Sequence, residues 1–289
     1  MRLDGRRKST NVDDRRGRSS RRGGLLAGGG IAAVLIAALF TWISGGNPLD
    51  VLSGAVSDPS TVSQSEPYTP SAEEEALADF SKQIFAGTED VWTKLFAEQG
   101  LTYEPPTLVL YTGATTSGCG NADASIGPFY CSADETVYID LSFFSDMRRN
   151  IGADGDFAYA YVIAHEVGHH VQHLLGQLAE SHSRMQRSSQ TDSNRESVRL
   201  ELQADYYAGV WAYHDNLMFN SLEPGDIDEA INAAQKIGDD YLQKRARGYT
   251  VPDSFNHGTS AQRSRWLRKG LTNGTIAGGD TFSPQYSSL

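Results

Sequence analysis

The sequence predicts a mainly helical α+β fold with a small β-sheet, preceded by one transmembrane helix. Three observations indicate this fold class. Apolar residues recur at helical spacing from Phe157 to Leu178. Two short runs, 107–112 and 136–141, are rich in Val, Ile, Leu and Tyr and are typical of strands. The run 23–46 contains no charged residue, and its 24 residues are enough to cross a bilayer.

The first 70 residues fall into three segments of different composition. Residues 1–22 carry nine Arg or Lys against three Asp and show no apolar periodicity, which predicts a disordered basic tail. By the positive-inside rule, the arginines before 23–46 keep this tail in the cytoplasm and place the rest of the chain outside. Pro, Ser and Thr in 47–70 predict a tether to a domain at 71–289. A cleaved signal peptide is the alternative interpretation of 23–46, although signal peptides have a shorter apolar region.

The charge distribution argues against nucleic acid as a partner. Of 25 basic and 36 acidic residues, 16 basic and 33 acidic ones lie beyond the basic tail. Binding to phosphates requires a basic face, which the main body of this chain does not offer.

The predicted domain begins with a helix. Ser71 and Glu74 have the spacing of a capping box, and apolar residues recur at helical spacing until Gly100. Between the two predicted strands, Cys119 and Cys131 enclose a loop of eleven residues. Outside the cytoplasm, a disulfide between them is favoured over two free buried thiols.

The periodic run from Phe157 contains the motif H-E-V-G-H at positions 165–169. On a helix His165 and His169 are one turn apart, so both imidazoles project from the same side and can bind one zinc ion. Glu166 lies beside them, where a carboxylate can act as a general base towards water. The motif also occurs by chance, so its weight depends on the rest of the chain. Two further histidines fit a packed or solvated role better than a ligand role: His170 and His173.

A second informative segment, 198–205, places two carboxylates among apolar residues. Its alternation also suits a strand, but its Leu, Glu, Gln and Ala content favours a helix. Hydrolytic zinc sites usually have three protein ligands, and Glu201 can supply the third. Asp205, one turn later, can accept the outer N–H of a ligand histidine. The alternative is a solvated acidic face, which the bulky neighbours make less favourable.

The C-terminal part predicts two helices around a loop histidine. Asp226 and Glu229 resemble a second capping pattern ahead of a packing stripe, and Trp266 lies in a short basic helix. His257, between them, can donate to the oxyanion that forms when water attacks a peptide carbonyl. The alternative is a loop histidine bonded to the backbone.

These motifs together resemble a family of bacterial, membrane-anchored neutral zinc metallopeptidases, and the resemblance covers nearly the whole chain. It includes the Arg-rich start, the single apolar run, the cysteines with their Gly-Pro-Phe-Tyr sequence, 137–141, the H-E-V-G-H motif, Glu201 to Asp205, and 257–260. The resemblance implies a zincin-like fold with a glutamate as third ligand and an aspartate four residues later that contacts a ligand histidine. A subclass with a third histidine requires Gly and His where this chain has Gln172 and Leu175.

The predicted function is therefore hydrolysis of peptide bonds by a zinc site of His165, His169 and Glu201, with Glu166 as general base. Asp205 is expected to orient a ligand, and His257 to assist at the oxyanion. The expected partners are a protein or peptide substrate and the cell membrane. A non-catalytic, zinc-stabilised adaptor of the cell envelope is the alternative, and it predicts a site in which Glu166 is dispensable.

Overall fold

The computed structural model describes residues 1–17, 68–123 and 126–289. The predicted transmembrane segment 23–46 and all but the last three residues of the predicted tether 47–70 lie outside the described residues. None of the described helices is long and apolar enough to span a bilayer. The prediction of a mainly helical α+β fold with small sheets is confirmed.

Residues 1–17, here called the N-terminal arm, are ordered and lie against the domain. Strand β1 (Val12–Asp14) pairs in parallel with Leu108–Leu110. The prediction of a disordered basic tail is wrong for these residues. Composition suggested disorder because the arm has few apolar side chains, but its basic side chains pair with carboxylates of the acidic domain, as in the 2.7 Å contact from Arg6 to Asp215.

Helix α1 (Ala72–Glu98) begins as its capping box predicts. The Ser71 hydroxyl accepts a hydrogen bond from the Glu74 backbone N–H, and the Glu74 carboxylate accepts one from the Ser71 backbone. The helix ends just before Gly100, and it buries Phe85, Trp92 and Phe96 in the core. Helix α1 therefore forms one wall of the domain.

The predicted strands are confirmed as β2 (Thr107–Tyr111) and, after three further strands, β6 (Thr136–Asp140), which pair in parallel. Between them are β3 (Ala114–Ser117), β4 (Gly120–Asp123) and β5 (Phe129–Cys131). The main sheet has the order β1-β2-β6-β5, so β5 is an edge strand, antiparallel to β6. A disulfide joins Cys119 to Cys131, as predicted.

The rest of the described chain is mainly helical. Its α-helices form the site and its surroundings: α2 (Ser142–Asp146), α3 (Asp156–Leu174), α4 (Gln177–Met185), α5 (Gln190–Phe219), α6 (Asp226–Lys236), α7 (Asp239–Arg247) and α8 (Ser260–Asn273). The predicted helix for 198–205 is confirmed as part of α5. Trp266 lies in α8, as expected, and is buried.

Two helix boundaries differ from the predictions. The periodic run does not continue to Leu178, because Gly176 adopts a left-handed conformation with φ of 79° and separates α3 from α4. Helix α6 starts without a side-chain cap. The Glu229 carboxylate instead accepts a hydrogen bond from the Phe157 backbone N–H at 3.1 Å, so it ties α6 to the start of α3.

Candidate metal centre

Helices α3 and α5 bring three ligand side chains together. The Nε2 atom of His165 lies 3.2 Å from Oε2 of Glu201, and the Nε2 atom of His169 lies 3.5 Å from its Oε1. The two imidazole rings are nearly perpendicular, with centroids 4.9 Å apart. Both histidines therefore direct the same ring nitrogen towards one carboxylate.

The close approach of the two helices depends on Gly168. A Cβ atom at this position would lie 3.0 Å from the carbonyl oxygen of Ala204 and 3.1 Å from its Cα. A larger residue at 168 would push the α5 backbone away from α3. The glycine of the H-E-V-G-H motif thus allows Glu201, three residues before Ala204, to reach the histidines.

The spacing of the ligand atoms fits a zinc ion. The ligand atoms of His165, His169 and Glu201 all lie within 4.8 Å of one another. In tetrahedral zinc sites with bonds of about 2.0–2.1 Å, neighbouring ligand atoms are about 3.4 Å apart, since a tetrahedron's edge is about 1.6 times its centre-to-corner distance. The contacts of 3.2 and 3.5 Å match this separation. The donor set of two imidazoles and one carboxylate is also one that zinc accepts.

Asp205 holds the outer nitrogen of His165. Its Oδ1 atom lies 2.9 Å from Nδ1 of His165 and accepts a hydrogen bond from the Tyr161 hydroxyl at 2.5 Å. Arg263 donates to both carboxylate oxygens, each at 2.9 Å. Since Asp205 is fully buried and accepts from three side chains, it fixes the His165 ring with Nε2 facing the metal position.

Gln172 holds the outer nitrogen of His169 in the same way. Its Oε1 atom lies 2.9 Å from Nδ1 of His169. Its amide nitrogen donates to the Leu200 carbonyl at 2.8 Å and to Gln203 at 3.0 Å, and these two acceptors fix which end of the amide faces the histidine. Nδ1 of His169 therefore carries the proton, and Nε2 presents its lone pair to a metal.

The electrostatics of the site favour a cation between these side chains. Burial opposes the charge of Glu201, yet its contacts with the His165 and His169 imidazoles hold the pKa of its carboxyl well below the usual range. Burial also disfavours a charged imidazole, but the hydrogen bond and the charge of Asp205 raise the pKa of His165 to about 10. A position that stabilises positive charge on this ring also suits a metal ion.

Glu166 lies next to the ligands on α3 and is 9% exposed. Within the described part of the chain, its carboxylate makes no hydrogen bond or ion pair, whereas Glu201 and Asp205 are fully engaged. The oxygens of Glu166 remain accessible to solvent, since neither is among the fully buried side-chain atoms that lack a partner. This environment is the one expected of a group that acts on water or substrate.

His170 is committed to a structural role. It is fully buried, its Nε2 donates to the Glu104 carbonyl at 2.7 Å, and its Nδ1 accepts from the Tyr130 hydroxyl at 2.9 Å. Burial lowers the pKa of His170 to about 4, so the ring is neutral. His173 has a different partner, since its Nε2 lies 3.7 Å from Glu135.

His257 is placed at the edge of the site by Asp239 at the start of α7. The Asp239 carboxylate accepts hydrogen bonds from the backbone N–H groups of Asn256, His257 and Gly258, and lies 3.3 Å from Nδ1 of His257. The ring is close enough to Glu201 for their charges to interact. The backbone of the loop is thus bonded to Asp239, and the role of the His257 ring at the oxyanion stays a prediction.

Three residues of the site were not predicted from the sequence. Tyr161 and Gln172 had an available signal, because they lie four residues before His165 and three after His169, on the same helix face. Arg263 had none. It reaches Asp205 from α8, 58 residues further along the chain, and only the packing of α8 on α5 brings them together.

The sequence pattern of the family described as "Putative neutral zinc metallopeptidase" matches residues 1–282. The chain belongs to this family. It is 48% identical to the uncharacterized protein YpfJ of Escherichia coli over 287 residues. The aligned residues cover 98% of this chain and 99% of YpfJ.

A second relative matches over a shorter span. The uncharacterized protein Rv2575 of Mycobacterium tuberculosis is 42% identical over 191 residues, or 63% of this chain and 64% of that one. No solved structure matches the chain. Membership of the family makes zinc the expected metal and a protein or peptide the expected substrate.

Proposed function

We propose that this chain is a zincin-like peptidase that hydrolyses peptide bonds with zinc held by His165, His169 and Glu201. The observation that carries this proposal is the combination of three converging ligands with an unengaged Glu166 carboxylate beside them. A closed structural site usually has four protein ligands, whereas three leave one position for water or substrate. Among the described residues, two imidazoles and one carboxylate make up this ligand cluster.

The protein's own residues divide the work of hydrolysis. When bound, zinc acidifies a water molecule and polarises the carbonyl of the scissile bond. The Glu166 carboxylate takes the proton of the attacking water and later gives it to the departing amine nitrogen. Asp205 and Gln172 hold the ligand rings in orientation, and the His257 ring donates to the carbonyl oxygen as negative charge develops there.

The edge strand β5 supplies a surface for an extended peptide. One side of β5 pairs with β6, and no described strand pairs with the other. The Tyr130 hydroxyl, in β5, bonds to His170, which adjoins the ligand His169 on α3. A peptide added to this edge by main-chain hydrogen bonds would therefore run beside the metal ligands. Attachment to a membrane through 23–46 is a further part of the proposal and rests on the sequence alone.

The test is Glu166→Gln in the full chain, compared with Glu180→Gln, whose side chain is 70% exposed on α4. We expect Glu166→Gln to retain about one zinc per chain and to cleave a fluorogenic peptide library at least about 100-fold more slowly. The control should match the wild type. Undiminished cleavage by Glu166→Gln would refute its role as base. A zinc-loaded wild type that cleaves no peptide would favour the adaptor function.

A further inference from the structure

The N-terminal arm is built into the domain by main-chain hydrogen bonds. The Leu108 backbone N–H donates to the Asn11 carbonyl at 2.8 Å, and the Arg15 backbone N–H donates to the Leu110 carbonyl at 2.7 Å. These bonds continue the main sheet by one strand. The Ser9 backbone N–H also donates to the Lys82 carbonyl of α1 at 3.0 Å. The arm therefore adds one strand, with its flanking turns, to the domain's own sheet.

Two buried carboxylates of the domain have their partners in this arm. Asp215, on α5, is 1% exposed and accepts two hydrogen bonds from the Arg6 guanidinium, at 2.7 and 3.3 Å. Glu89, on α1, is 6% exposed and accepts from Ser9 at 2.6 Å and Asn11 at 2.9 Å. Burying a carboxylate is costly unless donors compensate for the lost water. Asp215 and Glu89 thus obtain the hydrogen-bond donors that they need from the arm.

The backbone of α1 is shaped for the same contact. A Cβ atom at Gly87 would lie 2.7 Å from Nη2 of Arg6 and 2.8 Å from Oδ1 of Asp215. Any other residue at 87 would displace this ion pair. The guanidinium also lies over the Phe219 ring, with its central carbon 3.7 Å from the ring centroid. The Arg6 side chain is 10% exposed, so the pair is almost completely enclosed.

Gly17 and Tyr68, the described residues on either side of 18–67, meet at one place on the domain. A Cβ atom built on Gly17 would lie 2.2 Å from the Tyr68 ring, so these two residues are in direct contact. Arg16 donates to the Glu74 carbonyl at 3.2 Å, and the Tyr68 hydroxyl donates to the Glu74 carboxylate at 2.9 Å. A segment whose ends meet on one folded body crosses a membrane an even number of times. The uncharged run 23–46 has 24 residues, enough for one helical crossing of about 20 residues and not for two.

We propose that the arm and the metallopeptidase domain lie on the same side of the membrane, with the arm docked on α1, α5 and β2. This arrangement replaces the single crossing predicted from charge, in which the arm is cytoplasmic and the domain is outside. The inference does not depend on catalysis, because none of the contacts that carry it involves the metal ligands.

The sidedness can be measured with single cysteines in the full chain. Thr10→Cys reports on the arm and Ala246→Cys on the domain; both positions are exposed, and the native cysteines are joined in a disulfide. Spheroplasts of a bacterial host are treated with a membrane-impermeant maleimide before and after permeabilisation, with labelling in denaturant as the reference. We expect both cysteines to be labelled in the same step, whichever step that is. Labelling of Ala246→Cys before permeabilisation and of Thr10→Cys only afterwards would overturn the proposal.

Docking itself is tested by thermal unfolding of the full-length protein in detergent. Removing one partner of a buried ion pair is strongly destabilising, so Arg6→Ala should lower Tm by about 5 °C or more. Arg2→Ala is the matched control, since the Arg2 side chain is 56% exposed and its partner Glu223 is 43% exposed. Equal Tm values for Arg6→Ala and the wild type would show that the arm does not stabilise the domain and would overturn its docking.

Discussion

The Nδ1 atom of His169 lies 2.9 Å from Oε1 of Gln172, three residues later on the same helix. This contact gives the second ligand histidine the same support that Asp205 gives the first. Each ligand ring is thus fixed by a different kind of acceptor, a neutral amide in one case and a carboxylate in the other. The amide adds no negative charge to the site.

Gln172→Ala should weaken zinc binding by about 10- to 100-fold, because the His169 ring loses the acceptor that fixes its orientation. Zinc affinity is measured by competition with a chromogenic chelator. Gln186→Ala, at an exposed position after α4, is the control and should bind zinc as the wild type does. An unchanged affinity in Gln172→Ala would mean that other contacts orient His169.

Glu201→Ala should reduce the metal content of the purified chain from about one zinc to well below one, because two imidazoles alone hold zinc weakly. Elemental analysis of wild type and variant after exhaustive dialysis checks this. Glu180→Ala, on the exposed face of α4, serves as the control. Full zinc content in Glu201→Ala would remove this residue from the ligand set.

Arg263→Ala should destabilise the domain by about 3–5 kcal/mol, because it leaves the buried Asp205 without its charge partner. Arg263 is 3% exposed and donates to both oxygens of Asp205. Urea unfolding, followed by circular dichroism, measures the change. The exposed Arg268→Ala, on the same helix, should change stability by less than about 0.5 kcal/mol. Equal effects of the two substitutions would contradict the pairing.

Gly168→Val should weaken zinc binding, since a branched side chain would contact the Ala204 backbone and separate α3 from α5. Gly168→Ala should have a smaller effect in the same direction, because its single added carbon would lie 3.0 Å from the Ala204 carbonyl oxygen. Chelator competition again measures affinity, and circular dichroism checks that helix content is retained. If Gly168→Val bound zinc as tightly as the wild type, zinc binding would not depend on the close approach of α3 and α5.

Replacing both Cys119 and Cys131 by Ser should lower the free energy of unfolding by about 3 kcal/mol, the value that loop-closure entropy predicts for a loop of this length. Urea unfolding of the oxidised wild type and the double variant gives the difference. The wild type in reducing agent should match the variant. A variant as stable as the oxidised wild type would mean that the loop is ordered without the bridge.

Local patterns were enough to predict the elements of the fold and most of the candidate site. The Ser71 capping box, the two short strands β2 and β6 and the helical spacing of His165 and His169 each depend on residues close in sequence. The structure also brings Glu201 to these histidines, as the chemistry of a three-ligand site suggested. Two features depend on distant partners and could not be predicted. Arg263 contacts Asp205 only because α8 packs on α5, and the arm is ordered by its pairing with β2 and by the buried acids of the domain.

The parallel pairing of β1 with β2 also bears on how the protein avoids aggregation. Strand β2 carries Leu108 and Leu110, both fully buried, and without β1 its N–H and C=O groups would face solvent as an open edge. Such an edge invites pairing with strands of other molecules. Strand β1 covers this edge. Because β1 has only three residues and is followed by Arg15 and Arg16, the new edge of the sheet is short and charged. A protein shortened to 71–289 would therefore be expected to self-associate, even with its metal site intact.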